Sequence, residues 1–84
     1  MILVSLWLLK DMEENMNEIN ITTEYIKLDQ FLKLCGAAQT GGQAKIMIAE
    51  GMITVNGEIT IQRGKKIRKN DIVEIKDYDK FIVV

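Results

Sequence analysis

Apolar residues change their spacing along this chain, and each change marks a different local structure. Ile19-Asn-Ile-Thr-Thr23 alternates apolar with polar, the pattern of a short first strand or an extended lead-in. From Leu28 the period lengthens: Leu28, Phe31, Leu32 and Cys35 fall at i, i+3, i+4 and i+7, one face of a helix that Gly36 stops. Thr40-Gly-Gly-Gln43 has the form of a capping box, with Thr40 and Gln43 satisfying each other's amides. A second helix follows, with Ala44, Met47 and Ile48 at helical spacing and Gly51 closing it. Both helices are about two turns long. Ile53-Thr-Val55 and Glu58-Ile-Thr-Ile61 alternate around Asn56-Gly57, the dipeptide best suited to a type I′ turn, and predict a hairpin. Arg63-Gly-Lys-Lys-Ile-Arg-Lys-Asn70 reads as a basic loop anchored by one apolar residue, Ile67. Two further β segments, Ile72-Val-Glu-Ile75 and Phe81-Ile-Val-Val84, flank the turn-like Asp77-Tyr-Asp-Lys80. Two short helices packed on a small antiparallel β-sheet give the α+β class, since neither piece could bury its apolar face alone.

Length allows one such domain and no second, because 84 residues hold a single core. The opening Met1-Ile-Leu-Val-Ser-Leu-Trp-Leu-Leu9 is too short for the ~20 apolar residues of a membrane span. It also lacks the basic n-region and cleavage site of a secretory signal. Residues 1–16 therefore read as an N-terminal appendage outside the fold, disordered, and residues 17–84 as the domain. Trp7 has no assignable role, and no membrane partner is expected.

The net charge of −1 argues against a polyanion ligand until it is divided by position. Residues 1–30 carry −4, residues 31–70 carry +5 and residues 71–84 carry −2. The middle of the chain is a cation between anionic ends, which suits a polyanion partner. Five of the cations, Arg63, Lys65, Lys66, Arg68 and Lys69, lie within seven positions that hold no acid. Such a run is ordinarily a solvated loop. Here it is weighed together with Lys27, Lys33 and Lys45, which lie on or beside the two helices.

Other chemistry is sparse. The chain has one cysteine and no histidine, which excludes an internal disulfide, the four-cysteine zinc sites and most familiar catalytic constellations. Cys35 fits a buried small hydrophobe on the first helix, with no imidazole to activate it. Asp29 complements the dipole of the first helix turn. Thr40-Gly-Gly-Gln43 lacks the Gly-Lys-Ser/Thr ending of a nucleotide-binding loop. Tyr25, Phe31, Tyr78 and Phe81 are too few and too apolar in context for the aromatic stacking platform of single-strand binders. The expectation is a non-enzyme without cofactor or metal, in a reducing cytoplasm.

These residues, in order, resemble a known family. Lys27-Leu-Asp-Gln-Phe-Leu32, Gly36, Thr40-Gly-Gly-Gln-Ala-Lys45, Ile48, Gly51 and Ile53-Thr-Val-Asn-Gly57 look like the RNA-binding domain of small-subunit ribosomal protein four, the S-four or α-L motif. Within it the chain is most similar to the free-standing bacterial YaaA/YbcJ type, which shares the Thr/Ser-Gly-Gly-x-Ala-Lys stretch and the Arg-Gly-Lys-Lys loop. The resemblance implies binding of structured, ribosomal RNA through the two-helix face and the basic loop, with ribosomal proteins as further partners. It places RNA contacts at Lys27, Lys33, Thr40, Gly41, Gly42, Gln43, Lys45, Arg63, Lys65, Lys66, Arg68 and Lys69. In one departure, Gly41 stands where many members have Arg; glycine amides at a helix N-terminus offer partial replacement. The competing reading is a protein-interaction module docking on a ribosomal or replication partner. A third is the detached targeting domain of an RNA-modifying enzyme or tRNA synthetase.

Overall fold

The computed structural model describes residues 16–84. The expected appendage of residues 1–16, Trp7 included, lies outside the described residues except for Met16. Seven strands and two helices follow: β1 (Asn17–Ile19), β2 (Tyr25–Lys27), α1 (Leu28–Leu34), α2 (Gly41–Ala49), β3 (Ile53–Val55), β4 (Glu58–Ile59), β5 (Lys66–Arg68), β6 (Ile72–Ile75) and β7 (Lys80–Val83). The α+β class holds, with two sheets in place of one. Five strands run in the order β1-β7-β6-β3-β4, and β2 and β5 form a separate two-stranded ribbon.

The larger sheet is mixed where an antiparallel one is expected, because β1 lies parallel to β7, Asn17 opposite Phe81 and Ile19 opposite Val83. The bonds from Ile21 N to Val84 O (3.1 Å) and from Val84 N to Ile19 O (2.9 Å) extend that pairing. Parallel neighbours cannot be joined by a tight turn; here the helices and all the other strands lie between them. The remaining pairs are antiparallel hairpins or their neighbours. Asn56 and Gly57 take φ of 52° and 87°, as a type I′ turn demands, and Asp77 at φ 59° turns β6 into β7. The second hairpin strand is shorter than its alternation suggests. It ends at Ile59, and Thr60 N makes the last bond to Ile53 O (3.0 Å).

Period-2 alternation sends Ile53, Val55, Val73, Ile75, Phe81 and Val83 to one face of the larger sheet. Leu28, Phe31 and Leu32 of α1 and Ala44 and Ile48 of α2 join the same core. Phe31 meets Phe81 edge to face, with centroids 6.0 Å apart and rings at 82°. Each of the larger core side chains contributes on the order of 1.5–3 kcal/mol by leaving water. Gly36 (φ +84°) and Gly51 (φ +73°) end the helices in the left-handed region, where a side chain would be strained. Beyond Gly36 the chain folds back, Ala38 N donating to Leu32 O at 3.0 Å.

The capping box departs from the expected reciprocal form. Thr40 Oγ1 accepts from Gln43 N (3.1 Å), while Gln43 Oε1 accepts from Gln39 N (2.9 Å), one residue before the cap. Gln43 therefore secures the lead-in to α2 in place of the amide of Thr40.

Candidate nucleic-acid interface

The segment read as a basic loop is partly a strand. Lys66-Ile-Arg68 pairs with Tyr25-Ile-Lys27, so that Tyr25 faces Arg68, Ile26 faces Ile67 and Lys27 faces Lys66. Ile67 is fully buried, as its lone apolar character suggests, and Ile26 packs beside it. The pleat then fixes what points outward: Tyr25, Lys27, Lys66 and Arg68 share the solvent face of the ribbon. The alternation in both tripeptides is the signal that could have located this strand pair; the density of charge in residues 63–69 masks it.

A second device ties this segment to the helices. α1 has no side-chain cap at Lys27. Its first two amides donate instead to the basic segment, Leu28 N to Lys65 O at 2.9 Å and Asp29 N to Arg63 O at 3.1 Å. Asp29 Oδ1 accepts from Gln30 N at 2.8 Å, in keeping with a first-turn acid. Lys27, Arg63, Lys65, Lys66 and Arg68, from two distant stretches of sequence, thus converge at one end of α1.

Lys33 lies in the last turn of α1, at its other end, and Thr40-Gly-Gly-Gln43 opens α2. The outer face of α1 presents Gln30, Lys33 and Leu34, and that of α2 presents Gly42, Lys45, Ile46 and Ala49, while α1 and α2 pack against each other. Gly41 and Gly42 are exposed, and nothing lies within 4 Å of a Cβ built on Gly41. Their amides sit in the first turn of α2, where no intrahelical acceptor exists. Lys69 stands apart from the ribbon pairs. It lies in the turn after β5, where Arg68 N bonds Asp71 Oδ2 (2.8 Å) and Asn70 N bonds Val83 O (2.7 Å).

The field over this surface is barely neutralised. Among the described residues the ribbon's cations make one ion pair, Arg68 with Glu24 at 3.8 Å, exposed on both sides. Lys27 and Lys66 oppose each other in register, an arrangement that costs stability unless a counter-charge sits between them. Tyr25, set aside in the sequence reading, sits under both neighbours: Lys66 Nζ is 4.8 Å and Arg68 Cζ 5.9 Å from its ring centroid. Acidic side chains gather elsewhere. Glu74, Asp77 and Asp79 lie exposed on β6 and the β6–β7 turn, where Asp79 also accepts from Asn17 Nδ2 at 2.6 Å.

No group of three or more cysteine or acidic side chains able to hold a metal occurs among the described residues. Cys35 is half-buried against the core and donates to Leu32 O at 3.5 Å. Burial pushes its thiol above the ordinary value, partly offset by backbone hydrogen bonds. That is the opposite of an activated nucleophile. No helix among the described residues is long and apolar enough to cross a membrane.

Comparison with known proteins gives the same outline. The S4 domain family matches residues 19–84. A Bacillus subtilis (strain 168) protein named Probable ribosome maturation protein RlbA is 46% identical over 68 residues, covering 81% of this chain and 96% of that protein. YbcJ of Escherichia coli (strain K12) is 42% identical over 43 residues, 51% of this chain and 61% of YbcJ. The solution structure of E. coli YbcJ, described as revealing an αL motif involved in RNA-binding, superposes with a TM-score of 0.64. Its identity is 32%, over 83% of this chain and 89% of that one.

Proposed function

The chain belongs to the S4 domain family, and on that premise we propose that it is an RNA-binding module that recognises structured ribosomal RNA through the outer faces of α1 and α2 and the adjoining basic segment. The observation that carries this reading is the in-register Lys27–Lys66 pair, with Arg68 on the same outward face and Arg63 and Lys65 held at the α1 N-terminus by backbone bonds. Evolution toward stability alone would place an acid opposite one of these lysines; a phosphate backbone supplies that charge from outside. Lys33 and Lys45 continue the positive surface along the helices. The first-turn amides of Gly41 and Gly42, with Thr40 and Gln43 shaping the turn, receive a further phosphate in place of an arginine. Lys69 adds long-range attraction from the edge.

RNA in A-form offers a wide, shallow minor groove lined by riboses and phosphates. Two short packed helices with exposed outer faces and cations at both ends of α1 suit that shape better than a deep pocket would. The name of the Bacillus subtilis relative, a probable ribosome maturation protein, supports a ribosomal ligand, and the protein acts there by binding, without a reaction, in the cytoplasm with ribosomal proteins as neighbours.

The test is titration with a structured ribosomal RNA fragment at several salt concentrations. Neutralisation of four to six phosphates predicts a slope of log K against log salt of about −3 to −5. Joint charge reversal of Lys45, Lys65 and Lys66 removes most of the affinity, and crosslinking followed by sequencing identifies the RNA in cells. A flat salt dependence with weak, unselective binding would reject the reading in favour of docking on a ribosomal or replication protein.

A further inference from the structure

The ribbon's outer face is more than a patch of charge, because a ring stands among its cations. Tyr25 is half-buried, outside the core cluster, and its backbone is pinned by Thr23 Oγ1 donating to Tyr25 O at 2.8 Å. Ile26 and Ile67, on the opposite face of the ribbon, anchor it in the core and so hold the backbone that carries the ring. Two cations lie against it, Lys66 at 4.8 Å and Arg68 at 5.9 Å from the centroid. A third, Lys27, stands two residues along the same face.

We infer that Tyr25 is the stacking site for one unpaired nucleotide of the bound RNA, with Lys27, Lys66 and Arg68 holding the phosphates on either side of it. This rests on the RNA-binding reading above and adds a ligand class that duplex contacts do not include. Stacking on tyrosine tolerates any base, because every base has a π-face, and cations spaced along the adjoining strands follow the backbone. The two cation–π contacts are weak at an exposed site and give way readily. The exposed Arg68–Glu24 pair at 3.8 Å does so too. On binding, Lys66 and Arg68 exchange the ring for phosphate oxygens, and the base takes the ring. A base inside a helix cannot reach this position, so the nucleotide comes from a loop, bulge or end.

The experiment compares a stem-loop RNA carrying 2-aminopurine in its loop with the blunt duplex of the same stem. The full chain and its Tyr25→Phe and Tyr25→Ala variants bind each RNA in turn, with circular dichroism confirming that both variants keep the fold. The full chain and Tyr25→Phe bind the stem-loop tightly and quench its fluorescence. Tyr25→Ala loses about tenfold in stem-loop affinity, the scale of one stacked base, and abolishes quenching while duplex affinity and salt slope stay unchanged. Equal affinity of Tyr25→Ala and the full chain for the stem-loop overturns the inference alone, as does an equal loss on both RNAs. Failure of the full chain to bind either RNA overturns the RNA-binding reading and the stacking site with it.

Discussion

The two sheets of this domain agree on their inner faces and disagree on their outer ones. Ile26 and Ile67 of the ribbon, like Ile53, Val73 and Phe81 of the larger sheet, feed a single core. Outward, the ribbon presents Tyr25, Lys27, Lys66 and Arg68, with like charges left opposite each other. The larger sheet presents Thr54 facing Glu74, and Glu74 in turn meets Lys80 at 3.8 Å, an ordinary compensated surface. Its β6–β7 turn is acidic through Asp77 and Asp79. The described residues thus carry a basic pole and an acidic one, while the net charge of −1 also includes the −2 of residues 1–15. In so small a domain the inward positions supply stability, and the outward register of one short strand pair is free to serve a ligand.

The comparison breaks first if the ribbon proves dispensable to the core. Ile67→Ala removes a fully buried side chain and should cost about 2–5 kcal/mol, comparable with the roughly 3–5 kcal/mol available to a domain of this size. Chemical denaturation should find much of the variant unfolded, whereas Ile59→Ala, at an edge and 68% exposed, should stay within about 0.5 kcal/mol.

The next test matches two variants in their change of total charge. Lys66→Glu with Arg68→Glu on the ribbon, and Lys76→Glu with Lys80→Glu at the β6–β7 turn and the start of β7, alter net charge equally. The ribbon pair should reduce the salt slope of RNA binding by about 2, since each lost phosphate contact removes about 0.9; the other pair should leave it unchanged. Equal effects would mean that the RNA responds to overall charge and that the outward register is irrelevant.

Smaller effects sharpen the role of the helices between the sheets. Thr40→Ala removes the cap on Gln43 N and should cost about 1 kcal/mol, a fall of about 4–8 °C in Tm. Smallest is a pH effect. The Cys35 thiol is raised on folding, so the folded state holds its proton more firmly. Stability should be constant below the ordinary thiol value and decline slightly as alkaline pH rises from that value through the raised one. Melting curves of Cys35→Ala should lack this alkaline decline.

Much of this architecture is legible along the chain because its determinants are local. Leu28, Phe31 and Leu32 define α1 by spacing, Gly36 and Gly51 stop the helices by adopting φ angles other residues resist, and Asn56-Gly57 sets its hairpin by turn chemistry. The cations of residues 63–69 are equally visible as a run. Less legible is β1: the alternation of Ile19–Thr23 predicts a strand there, whereas the strand observed is Asn17–Ile19, and so short a pattern carries no information about which way it pairs. The strand character of Lys66-Ile-Arg68 was hidden for a related reason. Its single inward residue is a weak pattern until Tyr25-Ile-Lys27 supplies the complementary one.

Tyr25 marks the boundary between the two kinds of information. Short-range periodicity, capping and turn preference act over a few residues, and by themselves they determine the helices, the hairpins, the inward residues and the excess of positive charge in the middle of the chain. The tertiary structure alone decides that Lys27 faces Lys66, that Arg63 and Lys65 cap α1 through their carbonyls, and that a tyrosine lies beneath two cations some forty residues away. Cross-strand register depends on burying Ile26 against Ile67, a pairing whose energy arises only once both strands reach the same core.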